Sequence, residues 1–281
     1  MLKRKLDPLL VFGLVFLALL IAFAFFGPSI RANQLRVGSK PLDAVLDPIS
    51  RSHTPPGKIA PLGTDEIGRD IISRLAAGAR ASLFVGFVVQ SLSLIVGIAV
   101  GAVGALAPRW ISVPLMRFTD GMFAFPDILL ALLIIGIIGP GLFPVIVALG
   151  ITAWPSVARL VQTQVASLKD REFVVAAKAT GAPMSYLVVK HILPQLWGIL
   201  LAVSMIDLAG TILAESTLSF LGIGVQAPTP SWGSMINTAR GSMNSYPLEL
   251  VWPCAILSLT IFALNFVGDG LRALVDPKSG G

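Results

Sequence analysis

Apolar residues gather into long runs in this chain, and polar residues into the gaps between them. A helix crossing a bilayer needs about 20 predominantly apolar residues, with a working range of about 17–25. Runs of that kind lie at 9–30, 83–107, 118–138, 144–160, 196–216 and 248–268. The first follows Lys3, Arg4 and Lys5 and so resembles a signal peptide, but a signal core is only about 7–15 residues long. It is read as an uncleaved span. The pattern predicts an all-α, polytopic membrane protein of six transmembrane helices, with both termini on one side.

Features inside the runs refine this. Gly97 and Gly101 stand four apart, a spacing at which helix backbones can approach closely. Pro155 removes a backbone donor and predicts a kink in the fourth span. The fifth span carries Asp207, with Glu215 near its end. A central Asp costs about 2.5–3.5 kcal/mol on insertion, and each Leu, Ile or Val returns about 0.3–0.6. Leu200, Leu201, Val203, Ile206, Leu208, Ile212 and Leu213 therefore about cancel it. Such a span belongs inside a bundle. Asp207 either bonds a neighbouring helix or lines a path, and Glu215 is a second polar candidate of the same kind.

Composition agrees. Hydrophobic residues make up 55% of the 281 and charged residues 13%, with a mean hydropathy of +0.83; soluble chains carry about 25% charged residues. The net charge of +6 is scattered between apolar runs, which suits a lipid surface and gives no stripe for nucleic acid. With the amino terminus inside, the cytoplasmic segments hold the larger share of the 21 basic residues, a weak form of the positive-inside bias. Cys254 is the lone cysteine, so neither an internal disulfide nor a cysteine metal cluster is expected. The two histidines, His53 and His191, fall outside the spans, which sets aside a membrane-embedded Ser–His hydrolase. No phosphate-binding Gly-x-x-x-x-Gly-Lys-Ser/Thr loop occurs, so no cofactor is expected on this chain.

A charged segment, "REFVVAAKATGAPMSYLVVKHILP", 171–194, interrupts the apolar runs of the second half. A short helix ends at Gly181, suited to a left-handed cap, and Pro183 fits the first turn of a second one. Pro194 punctuates the approach to the fifth span. Two short helices at an angle result. They form either a knuckle that docks into a groove on another protein or an amphipathic loop lying on the membrane, with Lys178 and Lys190 at the headgroups.

Two further stretches stand out. "GTDEIGRDIISRLAAGARASL", 63–83, reads as a polar, solvated external helix broken by Gly63, Gly68 and Gly78. Asp65, Glu66 and Asp70 there could hold a cation, although the spacing fits no calcium loop. "ESTLSFLGIGVQAPTPSWGSMI", 215–236, reads as a rigid external loop with Trp232 at the water interface.

Ala176-Ala177, three residues, Gly181, nine residues, His191, then Leu193-Pro194 resembles the EAA loop of ATP-binding-cassette importer permeases. Val175 stands at the family's Glu position and His191 at its Ile position. The 63–83 and 215–236 stretches, with "NFVGDGLRALVDP" at 265–277, are similar to the dipeptide, oligopeptide and nickel branch, and to its second, C-type permease. The resemblance covers residue 63 to the end. It implies that Ala176, Ala177, Gly181, His191, Leu193 and Pro194 couple the chain to two separate cytoplasmic ATPase subunits. It also implies a B-type permease partner, an extracytoplasmic binding protein and an inner-membrane location with both termini cytoplasmic. On this reading 1–30 is a tail and first helix, 31–82 an external segment, and 83–281 a permease core with its coupling loop at 165–195. The implied substrate is a peptide, the alternatives being nickel or another small solute. An ion-coupled secondary transporter is the remaining rival, and it would rest on Asp207.

Overall fold

The computed structural model describes residues 7–34, 36–37, 40–41, 51–58, 60–179, 181 and 183–275. Lys3, Arg4, Lys5 and Lys278 lie outside the described residues. The architecture is helical: α1 (Pro8–Gln34), α2 (Ile71–Leu106), α3 (Arg109–Met122), α4 (Asp127–Ile138), α5 (Leu142–Leu168), α6 (Glu172–Ala179), α7 (Met184–Leu187), a π-helical turn (Val188–Ile192), α8 (Leu193–Phe220), α9 (Trp232–Arg240) and α10 (Pro247–Val275). A two-residue antiparallel pairing joins Arg36–Val37 to Lys40–Pro41.

Among the described residues, five helical stretches are long and apolar enough to cross a membrane, and a sixth crossing exists if α3 and α4 count as one. These two meet at a bend of 87°, so the continuous span expected at 118–138 is in fact broken. Pro126 is the cause: its ring fixes its own φ near −61° and pushes the preceding residue out of the helical region. α4 is then 12 residues long, about 18 Å at 1.5 Å per residue, short of the hydrocarbon thickness. α5 continues through Pro155 as one helix.

The interior is built on close backbone contact. A Cβ at Gly97 would strike Val157, and one at Gly101 would strike the Ala158 carbonyl and Val161, so α2 lies flush against α5 along the predicted four-residue spacing. Gly104 continues the seam against Met116 of α3. α1 closes the opposite side, with Gly13 against Ala263 and Val267 of α10 and Gly27 against Ala76 of α2.

α2 starts at Ile71, well before the expected 83, because the charged stretch ahead of it is a cap. Asp70 Oδ2 accepts from Ser73 N at 2.9 Å and begins the helix. The 36 residues of α2 span about 54 Å, so its first turns stand clear of a 30 Å hydrocarbon core. The stretch at 63–70 forms turns in place of a solvated helix, and Gly78 lies inside α2 against Trp232. Its charges are turned inward. Arg31 Nη2 donates to Asp70 Oδ1 at 2.7 Å and Nε to Oδ2 at 3.2 Å, tying the end of α1 to the start of α2. Asp65 Oδ2 receives Arg69 Nε at 2.7 Å and Arg74 Nε at 3.2 Å. Arginine thus occupies two of the three carboxylates that could have held a cation, Asp65 and Asp70, while Glu66 is exposed, and the three form no metal cluster among the described residues.

Candidate coupling knuckle and the polar groups of the bundle

The 171–194 segment has a buried root and an exposed crown. Val174 of α6 and Leu187 of α7 are fully buried. With Val188, Ile192, Leu196 and Leu200 they pack on Val157, Val161 and Val165 of α5. Phe173, Val175, Tyr186 and Val189 stay exposed, as do Ala176, Gly181 and Pro194, while Ala177, His191 and Leu193 are half-buried. His191 meets the Tyr186 ring edge-on, with centroids 5.8 Å apart. Gly181 has φ +85° and a clear space where a Cβ would stand, which is the left-handed turn its position predicted.

The second half of the segment differs from expectation. α7 runs through the π-helical turn into α8, and Pro194, at the start of α8, interrupts nothing. The helix widens there: Leu193 N–H reaches back five residues to the Val188 carbonyl, directly before the proline that cannot donate. The coupling candidates therefore fall on two structures. Ala176, Ala177 and Gly181 belong to α6 and its turn, whereas His191, Leu193 and Pro194 sit at the foot of the fifth span itself.

At the other end of α8, Glu215 is fully buried. Its carboxylate accepts from Ser82 Oγ of α2 at 2.8 Å, Ser219 Oγ at 2.8 Å and Ser216 Oγ at 3.4 Å. Ser219 Oγ in turn accepts from Val225 N at 3.0 Å, holding the following loop. Hydroxyl donors satisfy this carboxylate, one of them from the neighbouring helix α2, which is the bundle-internal role of the two open for it. The sequence held a signal, since Ser216 and Ser219 lie one and four residues on, but the donor from α2 is invisible to local spacing. Trp232 is likewise no interfacial anchor. It is fully buried, opens α9, and donates from Nε1 to the Leu75 carbonyl at 3.2 Å. Ser231 caps α9 in a reciprocal box with Ser234.

Asp207 sits halfway along α8, half-buried, with Oδ2 sealed from solvent and without a hydrogen-bond partner among the described residues. The structure thus does not bring Asp207 and Glu215 together. Glu215 is engaged at the cap end, while Asp207 lies near the middle. A separate cleft of about 900 Å³ opens between α1, α2 and α8, lined by Phe25, Phe84, Phe87, Met205 and Leu208. Arg80 at its edge donates to the Ala24 and Phe25 carbonyls.

A bundle of membrane-length helices carrying a helical projection rooted between two of them defines a polytopic membrane subunit. Residues 93–280 match the family described as binding-protein-dependent transport system inner membrane component, and the chain belongs to that family. It is 35% identical over 278 residues to the oligopeptide transport system permease protein OppC of Bacillus subtilis strain 168, covering 99% of this chain and 88% of that one. It is 36% identical over 276 residues to the dipeptide transport system permease protein DppC of Alkalihalophilus pseudofirmus, covering 98% and 88%. Among solved structures, an inward-facing MetNI methionine ABC transporter chain superposes with a TM-score of 0.61 at 20% identity, over 72% of this chain and 96% of that one. That likeness bears on the fold.

Proposed function

We propose that this chain is one of two permeases in an ATP-driven importer of peptides, and that the 171–194 knuckle is where a separate ATPase docks. The observation that carries this is the knuckle's division into a fully buried root, Val174 and Leu187, and an exposed apolar crown, Phe173, Val175, Tyr186 and Val189. Apolar groups held exposed by a packed root suit burial in a partner's groove. Val175, 53% exposed where the resembled family has Glu, exchanges a salt bridge for apolar contact at that groove. Ala176, Ala177 and Gly181 give the groove wall close approach, and His191, Leu193 and Pro194 pass the movement to α8. The names of the relatives, oligopeptide and dipeptide permeases, supply the substrate class.

In this scheme the knuckle end and both termini face the cytoplasm, and the loop after α8 faces an extracytoplasmic binding protein. Two ATPase chains close on ATP, the knuckles of the two permeases follow, and the bundle changes the side to which it opens. ATP hydrolysis belongs to the partners. Gentle affinity purification of the tagged chain at native expression level, followed by mass spectrometry, tests the reading. Co-purification of two ATPase chains and a second permease is expected. A chain that purifies alone and still transports would overturn it.

A further inference from the structure

Four buried polar atoms near the middle of the bundle lack partners among the described residues: Gln90 Nε2 and Oε1, Ser204 Oγ and Asp207 Oδ2. Gln90 is 5% exposed and Ser204 3%. Helix register brings them to one level. Ser82 of α2 bonds Glu215 of α8, and Gly86, one turn further on, faces Leu208 and Ile212. The two helices are thus antiparallel, and the next turn of α2, Gln90, falls beside the 204–208 turn of α8. Ser204 and Asp207, three apart, share a face of α8. On the other flank Ser93 donates to the Ala153 carbonyl of α5 at 3.0 Å, so α5 walls off the same layer.

A carboxylate at such depth is costly unless something positive or hydrogen-bonding meets it. No lysine or arginine forms an ion pair with Asp207 among the described residues. The open groups are mostly acceptors: the carboxylate, an amide oxygen and a hydroxyl. Their complement is a small cation with several N–H donors. Every peptide with a free amino terminus carries one.

We propose that Asp207, Ser204 and Gln90 form a site inside the bundle for the ammonium end of the transported substrate. This inference rests on the peptide-import reading above. The site is closed in this conformation and opens as the bundle changes the side it faces. Asp207 supplies the opposite charge, and Ser204 and Gln90 accept the remaining donors.

The test uses the full complex in proteoliposomes during turnover, with Cys254→Ala and Ser204→Cys leaving one thiol on this chain. Labelling rates are compared for aminoethyl methanethiosulfonate, which is cationic, and methyl methanethiosulfonate, which is neutral. Opposite charges near 4 Å attract strongly inside protein, so the cationic reagent should be favoured by about tenfold or more over its ratio in an added Asp207→Asn background. Peptide should slow the labelling. Equal ratios in both backgrounds, or no labelling by either reagent, would overturn the site and leave at most a sealed structural water. In the otherwise unaltered chain, Asp207→Asn should lower peptide uptake and Asp207→Glu should largely restore it. If Asp207→Asn instead releases the second permease, the carboxylate pairs with a cation of that partner, and the proposal fails. If the wild-type complex takes up no peptide while the Ser204→Cys chain shows the charge preference, the peptide reading fails and the cation site stands.

Discussion

Gly181 does at one position what no other residue type does as cheaply. Its φ of +85° turns the chain between α6 and α7, and a β-branched side chain there would strain the backbone rather than collide, because the space beside it is clear. Gly181→Ile should therefore abolish uptake by re-aiming the knuckle while leaving the spans inserted; uptake assays with membrane-fraction immunoblots check this, and normal uptake would refute the coupling role. Single residues were unevenly legible. Gly181 was readable because glycine takes left-handed geometry without the steric cost other residues meet. Glu215 and Trp232 were not, since what decides their roles is Ser82 and Leu75, far off in sequence. Asp65 and Asp70 misled for the same reason: a string of alternating charges looks solvated until the arginines fold back onto it.

At the scale of elements, the seam between α2 and α5 is the contact most exposed to test. Gly101→Leu would force a side chain into the Ala158 backbone and Val161, and overpacking of this kind costs about 1–3 kcal/mol or more. The Tm of the purified chain in detergent should fall, whereas Gly136→Ala, which lies inside α4 and meets no atom within 4 Å, should hold or raise it. An unaltered Tm for Gly101→Leu would mean that the two helices are not in contact. Five membrane-length helices could be read from the apolar runs because hydrocarbon thickness sets a length that sequence displays directly. The third run failed as a continuous span because hydropathy averages over Pro126, while backbone geometry does not. The start of α2 lies upstream of the apolar run because its first turns carry Ser73, Arg74 and Arg80 yet are helical, and the cap at Asp70 marks the true beginning.

For the whole molecule, orientation carries the largest consequence. With the knuckle facing the cytoplasm, Lys178→Cys in a Cys254→Ala background should resist an impermeant maleimide in intact cells and react once the membrane is opened. Labelling from outside would invert the arrangement. If it holds, the flush contact of α2 with α5 has a mechanical meaning. Val174 and Leu187 sit on Val161 and Val165, and α5 is joined to α2 almost backbone to backbone. Only short, branched valines present side chains to Gly97 and Gly101 in that joint, so a thrust delivered at the knuckle would travel the length of both helices with little lost motion. The two would swing as a single beam. The 87° corner between α3 and α4, rather than any flexing of the long helices, would then serve as the hinge line.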